Sequence, residues 1–412
     1  MGSFLRILIY VSLFFGFFAF SFYIFTFLSS IRRKIPLLED SELPFVSIII
    51  PAWNEEKSVE RTLNSILNSD YPNFEVIFID DGSTDNTLKI ARRFEKNKVR
   101  VYTKTNGGKA SALNFGISKS NGEIIFTMDA DTKVEKESMK KMVRYFKDKK
   151  VVSVTPAMLI DVSDNFLRKI QKMEYLFGVF LRKVFATLNA IYIAPGAFTC
   201  YRKSFFEKYG GYDKGNITED LEMSLRIQSK GYKTENCPDA LVYTSGPATF
   251  KALTKQRVRW YYGLIKNSLR YKHMFGRKFG DLGLVVLPVA WITIFFSIII
   301  TIATLFNSIK DFINEAIFLS KIHLDIFNLF NFSIYELQKF LISFFSEPLV
   351  IFAFFSIIFT FLYLKYATYK TGKIRHLLWN SFIFLLFFGP LFCYWWVVSF
   401  FKFFIKKDVK WR

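Results

Sequence analysis

The chain has 412 residues, 51% of them hydrophobic, 51 of them Phe, and a formal charge of +21. That length holds two or three ordinary domains, and the gathering of apolar residues at the two ends argues against a wholly soluble protein. Cys200, Cys237 and Cys393 lie far apart and match no metal-binding spacing, which leaves only the suggestion of a reducing compartment for the central part.

Residues 7–31 contain no charged side chain. The run exceeds the about 20 positions a membrane-spanning helix needs and the roughly 7–15 of a cleaved signal peptide's apolar core, so it reads as an anchor. Arg32, Arg33 and Lys34 follow it, and basic flanks of this kind put the next residues on the cytoplasmic side.

From Phe45 the pattern changes to short apolar strands separated by amphipathic stretches. Residues 45–50 predict a buried strand stopped by Pro51, and Asn54 an N-cap for a helix to about Leu67. Residues 74–79 predict a second strand and 99–103 a third. Asn106, Gly107 and Gly108 precede a helix from Lys109, and residues 123–127 form a fourth strand ending at Asp129, Ala130 and Asp131. Strands alternating with helices at this spacing predict an α/β domain with a mostly parallel sheet and helices on both faces. Ligands of such sheets bind beyond the carboxyl ends of the strands. The residues around Pro51, Asp80-Asp81 and Asp129-Ala130-Asp131 stand at three such ends.

Beyond the domain, residues 282–309, 348–364 and 376–401 are also free of charge. One crossing out and one back keep Lys365, Lys370, Lys373 and Arg375 inside. A single last crossing then leaves Lys402, Lys406, Lys407, Lys410 and Arg412 outside, against the basic-flank rule. Either Pro390 breaks that segment into a re-entrant pair or residues 311–345 hide another crossing. Residues 31–280 hold 43 Lys/Arg and 28 Asp/Glu, a net +15. Nine of the bases, from Lys251 to Lys278, fall where no acid is present. Their place just before a membrane span favours anionic lipid or substrate phosphate over nucleic acid, which rests on net charge alone.

Several groups have chemistry to offer. Asp129 and Asp131 can share a hard cation, Mg2+ or Mn2+, which prefers carboxylates together with substrate phosphates; a surface turn explains them equally well in isolation. Asp81 leaves its strand first and can accept from a nucleobase or ribose, whereas Ser83, Thr84 and Asp85 read as turn and cap chemistry. Lys109 opens a helix after two glycines, a phosphate-binding setting, or is a solvated lysine. Glu219 and Asp220 suit a helix N-terminus electrostatically, and a general base looks the same in sequence. Gln256, Arg259 and Trp260 share one helical face, as an interfacial amphipathic helix also requires.

Taken in order, Asp81, then Asp129-Ala130-Asp131, then Thr218-Glu219-Asp220, then Gln256, Arg259 and Trp260 resemble the processive branch of the family-two glycosyltransferases. That branch includes the cellulose, chitin, hyaluronan and poly-N-acetylglucosamine synthases. The resemblance covers about residues 44–270, and the one-before, several-after arrangement of spans is most similar to the poly-N-acetylglucosamine synthases. It implies a GT-A type domain at 35–248, between an anchor at 1–34 and interfacial helices at 249–280, with a membrane region at 281–412.

It further implies Asp81, Glu55 and Pro51 around the nucleoside, with Lys109 and Asp129 near the diphosphate. Asp129 and Asp131 would hold the metal, Asp220 would be the base and Glu219 its support. Gln256, Arg259, Trp260, Phe198 and Cys200 would lie toward the acceptor. The implied partners are a UDP-sugar, a polysaccharide or lipid acceptor and the bilayer of the cell membrane, with no nucleic acid; an accessory membrane subunit stays open. No second soluble domain and no cellulose-synthase gating loop follow, which puts cellulose synthesis in doubt. A transferase adding one sugar to a lipid and an inactive nucleotide-sugar-binding subunit remain as alternatives.

Overall fold

Runs of Val, Ile and Phe without a polar face build the centre of the structure, a computed structural model describing residues 3–30, 42–96, 98–321, 334–335, 338–339, 341–342, 348–372 and 376–406. Strand β1 (Val46–Ala52) and β2 (Phe74–Asp80) are buried along their whole length. With β3 (Val99–Thr103) and β4 (Ile124–Thr127) they make a four-stranded parallel unit in the order β3-β2-β1-β4. Burial on both faces is what such continuous apolar strands demand.

Alternation along β1 sends Val46, Ile48 and Ile50 to one face, and Ile49 to the other. The first face is covered by Val59, Leu63 and Ile66 of α2 (Val59–Leu67). The second is covered by Ala112 and Leu113 of α3 (Lys109–Lys119), once a short helix α-turn at Thr87–Arg92 has closed the preceding crossover.

Two local readings are corrected. β1 is not stopped by Pro51 but continues to Ala52, paired with β2 up to Asp80. Its pairing with β4 ends at Ile49, so an imide nitrogen at 51 interrupts no ladder on that side. Asn54 caps no helix: its φ is 55°, its amide donates to Ser83 Oγ (3.0 Å) and its Oδ1 accepts from Thr84 N (2.8 Å). The Asp-Gly-Ser-Thr turn is held to the loop after β1 by these bonds, which agrees with a turn role for Ser83, Thr84 and Asp85.

The sheet continues with strands that break the parallel pattern. β5 (Lys133–Val134), β6 (Val151–Ile160), β7 (Thr199–Arg202) and β8 (Lys233–Thr244) complete an eight-stranded mixed sheet in the order β3-β2-β1-β4-β7-β6-β8-β5. β7 runs antiparallel to both β4 and β6. It lies in space between the parallel half and a second half, where the long β6–β8 pair is parallel.

Later helices connect this domain to the apolar ends. They are α4 (Phe166–Thr187), α5 (Glu219–Ser229) and α6 (Phe250–Arg270). Among the described residues four helices are long and apolar enough to cross a membrane, with spans at Ile7–Ser30, Leu282–Phe318, Val350–Thr371 and Leu377–Phe404. The first packs on α4, Phe27 against Phe180 at 5.1 Å between ring centroids. The last packs on α6: Tyr261 and Trp396 stack at 4.6 Å, and Trp395 Nε1 donates to Thr254 Oγ1 (3.1 Å).

Pro390 lies inside this last helix, which runs unbroken over Leu377–Phe404, so the re-entrant pair is ruled out. Of the alternative at 311–345, residues through Lys321 continue the preceding helix, and 322–333 lie outside the described residues. So do Arg32, Arg33, Lys34, Lys373, Arg375, Lys407, Lys410 and Arg412.

Candidate active site

The parallel strands β1, β2 and β4 end on the same side of the sheet, and the residues just past them supply the acidic groups. Met128 N donates to Ile49 O (2.9 Å), tying the chain leaving β4 to β1. Thr62 Oγ1 of α2 then fixes Ala130 O at 2.8 Å in a buried bond. Asp129 and Asp131 are thereby held on either side of an anchored residue. Burial raises the Asp131 carboxyl to about 7, helped by the charges of Asp129 and Glu55 and opposed by Lys109. Glu55 is positioned by its own backbone, whose amide donates to Thr87 Oγ1 (2.7 Å).

Lys109 is the hub. Its Nζ lies 2.6 Å from Asp129 Oδ1 and 3.3 Å from Glu219 Oε1, at the first residue of α3. Burial works against its charge, yet Asp129, Glu219 and Asp220 outweigh that and hold the ammonium charged. Burial likewise raises Glu219; Lys109 opposes this, Asp220 adds to it and Arg259 opposes it. The loops after β4, before α3 and before α5 therefore meet around one ammonium.

Gly196 packs against the same point. A Cβ placed there would stand 3.0 Å from both Asp220 Oδ2 and Lys109 Nζ, tighter than either can accept without moving. Gly196→Ala is expected to lower turnover about tenfold by displacing these two groups, since small misplacements at a reacting centre are costly. The check is a kinetic comparison at equal thermal stability.

Asp81 joins through the backbone next to Lys109. Its carboxylate accepts from Gly107 N (3.1 Å) and Gly108 N (2.8 Å), and Lys104 Nζ sits 2.6 Å away. Pro51 lies buried in β1 beside Ile79.

On the membrane side, Arg259 of α6 donates from Nη1 to Ile217 O (3.1 Å), just ahead of Glu219. Gln256 Oε1 accepts from Arg257 Nη1 (3.0 Å), and the Arg257 guanidinium lies 4.2 Å from the Trp260 ring centre. Sequence reasoning passed over Arg257, which is fully buried and pairs with Glu174 Oε2 of α4 at 2.6 Å. Burial raises Tyr175 to about 12, with Arg257 opposing and the charges of Glu174 and Asp131 adding to it. No local pattern marks Arg257, because its partner is 83 residues away.

Breaking a buried ion pair from one side strands the other charge at a cost of about 3–5 kcal/mol, while replacing both partners costs less. Arg257→Met should therefore lower thermal stability in detergent, and adding Glu174→Leu should restore much of it.

Phe198 and Cys200 are not in the cleft. Both are fully buried: Phe198 packs on Phe126 at 4.8 Å between ring centroids, and Cys200 Sγ faces Val154 O. Cys200 lies in β7 and Phe198 just before it, and both side chains belong to the hydrophobic core. Gly196, two residues before Phe198, is the part of that segment at the carboxylates.

Among the described residues no group of three or more His, Cys, Asp or Glu side chains is placed to enclose an ion. Asp129 and Asp131 do fit a Mg2+ or Mn2+ that takes its remaining ligands from phosphate and water. Burial first, and then the charges of Asp129 and Glu55, hold the Asp131 carboxyl above its usual range, with Lys109 opposing, and a dication there would favour its ionised form.

Residues 47–210, which carry most of β1, all of β2 to β4 and the loops with Asp81, Asp129 and Asp131, match Glycosyl transferase family 2. Over that range the chain is similar to the family-two glycosyltransferases. Poly-beta-1,6-N-acetyl-D-glucosamine synthase of Staphylococcus epidermidis is 35% identical over 230 residues, covering 55% of this chain and 56% of that protein. The synthase of Staphylococcus aureus strain COL is 34% identical over 235 residues, covering 56% and 57%. The chain thus spans a little over half the length of these curated relatives.

Among solved structures, the mannosyltransferase PcManGT of Pyrobaculum calidifontis, in complex with GDP-Man and Mn2+, aligns with a TM-score of 0.57 at 18% identity. The alignment covers 88% of this chain and 98% of that one. The glycosyltransferase domain has a GT-A type fold.

Proposed function

We propose that the chain is a membrane-embedded inverting glycosyltransferase that moves a sugar from a UDP-sugar onto a growing polysaccharide. The observation that carries this reading is the meeting of Asp129, Glu219 and Asp220 around Lys109, beside the helix that bears Arg259 and Trp260.

In this reading Asp81 and Glu55 serve the nucleoside end of the donor. Asp129 and Asp131 would hold a divalent cation, which supplies Lewis-acid charge at the diphosphate. Asp220 takes the proton from the acceptor hydroxyl. That oxygen bonds to the anomeric carbon as the sugar–phosphate bond breaks, and the bonding pair leaves with the nucleotide diphosphate. Lys109 and Arg259 stabilise the departing anion, Arg259 with a planar fork suited to phosphate. Attack opposite the leaving group inverts the anomeric centre, and Trp260 offers a flat apolar face to a pyranose ring.

The Mn2+ named with the structural neighbour supports a divalent metal, and the names of the curated relatives make UDP-N-acetylglucosamine the first donor to test. The four apolar spans among the described residues support a multi-pass protein of the cell membrane, and Arg32, Arg33 and Lys34 after the first span favour a domain on the cytoplasmic side. Incubation of the chain in bilayers with labelled UDP-sugars tests the reading. A ladder or high polymer is expected; one discrete glycolipid would replace polymerisation with single-sugar transfer to lipid, and no product with any donor would overturn the reading.

A further inference from the structure

Residues 216–218 lead directly into Glu219 and Asp220, and one stripe of α6 is pressed along them. Arg259, Gly263 and Asn267 recur at every fourth position, so they lie on one face of that helix, and each meets the loop. Arg259 Nη1 donates to Ile217 O (3.1 Å). Gly263 lies against Thr218 so closely that a Cβ would overlap Thr218 Oγ1 and Cγ2. Asn267 Nδ2 donates to Asn216 Oδ1 (3.2 Å) and Thr218 Oγ1 (3.0 Å), and Asn216 Nδ2 donates back to Asn267 Oδ1 (2.7 Å). Asn216 Oδ1 also accepts from Thr218 N (3.1 Å).

Asn267 is 1% and Thr218 3% exposed. Buried amides and hydroxyls are costly unless paired, and here each completes the other. Thr218 occupies the N-cap position of α5, yet its side chain makes no cap bond. Its hydroxyl is engaged across the gap to α6 instead. The contact therefore sets the start of the helix carrying the two carboxylates against the helix carrying Arg259.

We propose that Asn267, with Asn216 and Thr218, is a positioning clasp that fixes Asp220 and Arg259 at one separation, so that proton removal and departure of the diphosphate are served by a single rigid unit. The clasp touches neither substrate. It rests on the transferase reading above, in which Asp220 and Arg259 act in the same displacement, where misplacement by about 1 Å can cost about a hundredfold.

The test uses the full chain in bilayers with UDP-sugar, measuring kcat, donor KM and UDP affinity. Asn267→Leu keeps the side chain's bulk but removes its hydrogen bonds, and kcat should fall about 10–100-fold, with donor KM and UDP affinity within about twofold. If that variant does not fold, Thr218→Val and Thr218→Ser decide. Valine keeps the shape without the hydroxyl and should lose about tenfold in kcat, roughly the worth of one buried hydrogen bond; serine restores the hydroxyl and should return most of the activity.

Unchanged kcat in both Asn267→Leu and Thr218→Val, with an active parent, overturns the clasp alone. Parallel losses in kcat and UDP affinity also overturn it, since they report general damage. A parent chain that transfers no sugar overturns the functional reading, and the clasp with it.

Discussion

Asp220→Asn is expected to abolish sugar transfer while UDP still binds with unchanged affinity. The carboxylate stands at the first turn of α5, where its Oδ1 accepts from Leu221 N (2.8 Å) and its Oδ2 faces the Gly196 gap beside Lys109. An asparagine keeps the shape but cannot take a proton from the acceptor, so the loss should reach about 10²–10⁴-fold, the contribution of a positioned base. In the proposed reading the nucleotide is held by Asp81 and Glu55, on other loops, so its binding should survive. Turnover within a few-fold of the parent, by product release from labelled donor, would remove Asp220 from the role of base.

The second large effect belongs to Asp131. Asp131→Ala removes a carboxylate from the pocket where burial, helped by the charges of Asp129 and Glu55, raises its pKa to about 7. Metal-dependent turnover should drop by at least about a hundredfold, in keeping with a group on which transition-state charge stabilisation depends. The pH dependence follows from the same shift. With the folded-state pKa raised above the unfolded value, this carboxyl's contribution to the stability of the metal-free fold is fully present below the usual carboxylate range and is lost as pH rises through about 7. A dication favours the ionised carboxylate, so metal affinity should rise over that window and level off above it. A flat metal-binding profile in the parent, or full activity of the variant with a chelator present, would contradict the assignment.

Much of the site was legible because its acids follow strands that the sequence announces. The runs at β1, β2 and β4 are mostly apolar, strand ends are where such sheets bind ligands, and Asp81, Asp129 and Asp131 stand there. Lys109 was marked only by its place after two glycines; its pairing with Asp129 and Glu219 is a long-range fact. Arg257 with Glu174, and Asn216 with Asn267, were invisible for the same reason: periodicity reports which residues share a helix face, not which face of another element it meets.

Phe198 and Cys200 were placed near the acceptor by resemblance to a segment, whereas the turn into β7 puts Phe198 in the core and β7 itself puts Cys200 there. The parallel half of the sheet was read from alternating strand and helix, but the insertion of antiparallel β7 between β4 and β6 has no local signature. Asn54 looked like a cap because caps favour asparagine; the same side chain also tolerates a positive φ, and the loop took that option.

Everything depends on carboxylates from separate loops converging on one cation and one diphosphate. The most direct measurement is electron–nuclear resonance of Mn2+ added to the full chain with UDP, in the parent and in Asp131→Ala. Coupling of the bound Mn2+ to phosphorus, present in the parent and lost in the variant, is the predicted result. Mn2+ that binds without phosphorus coupling, or equally well without Asp131, would show that the acids serve no common ligand.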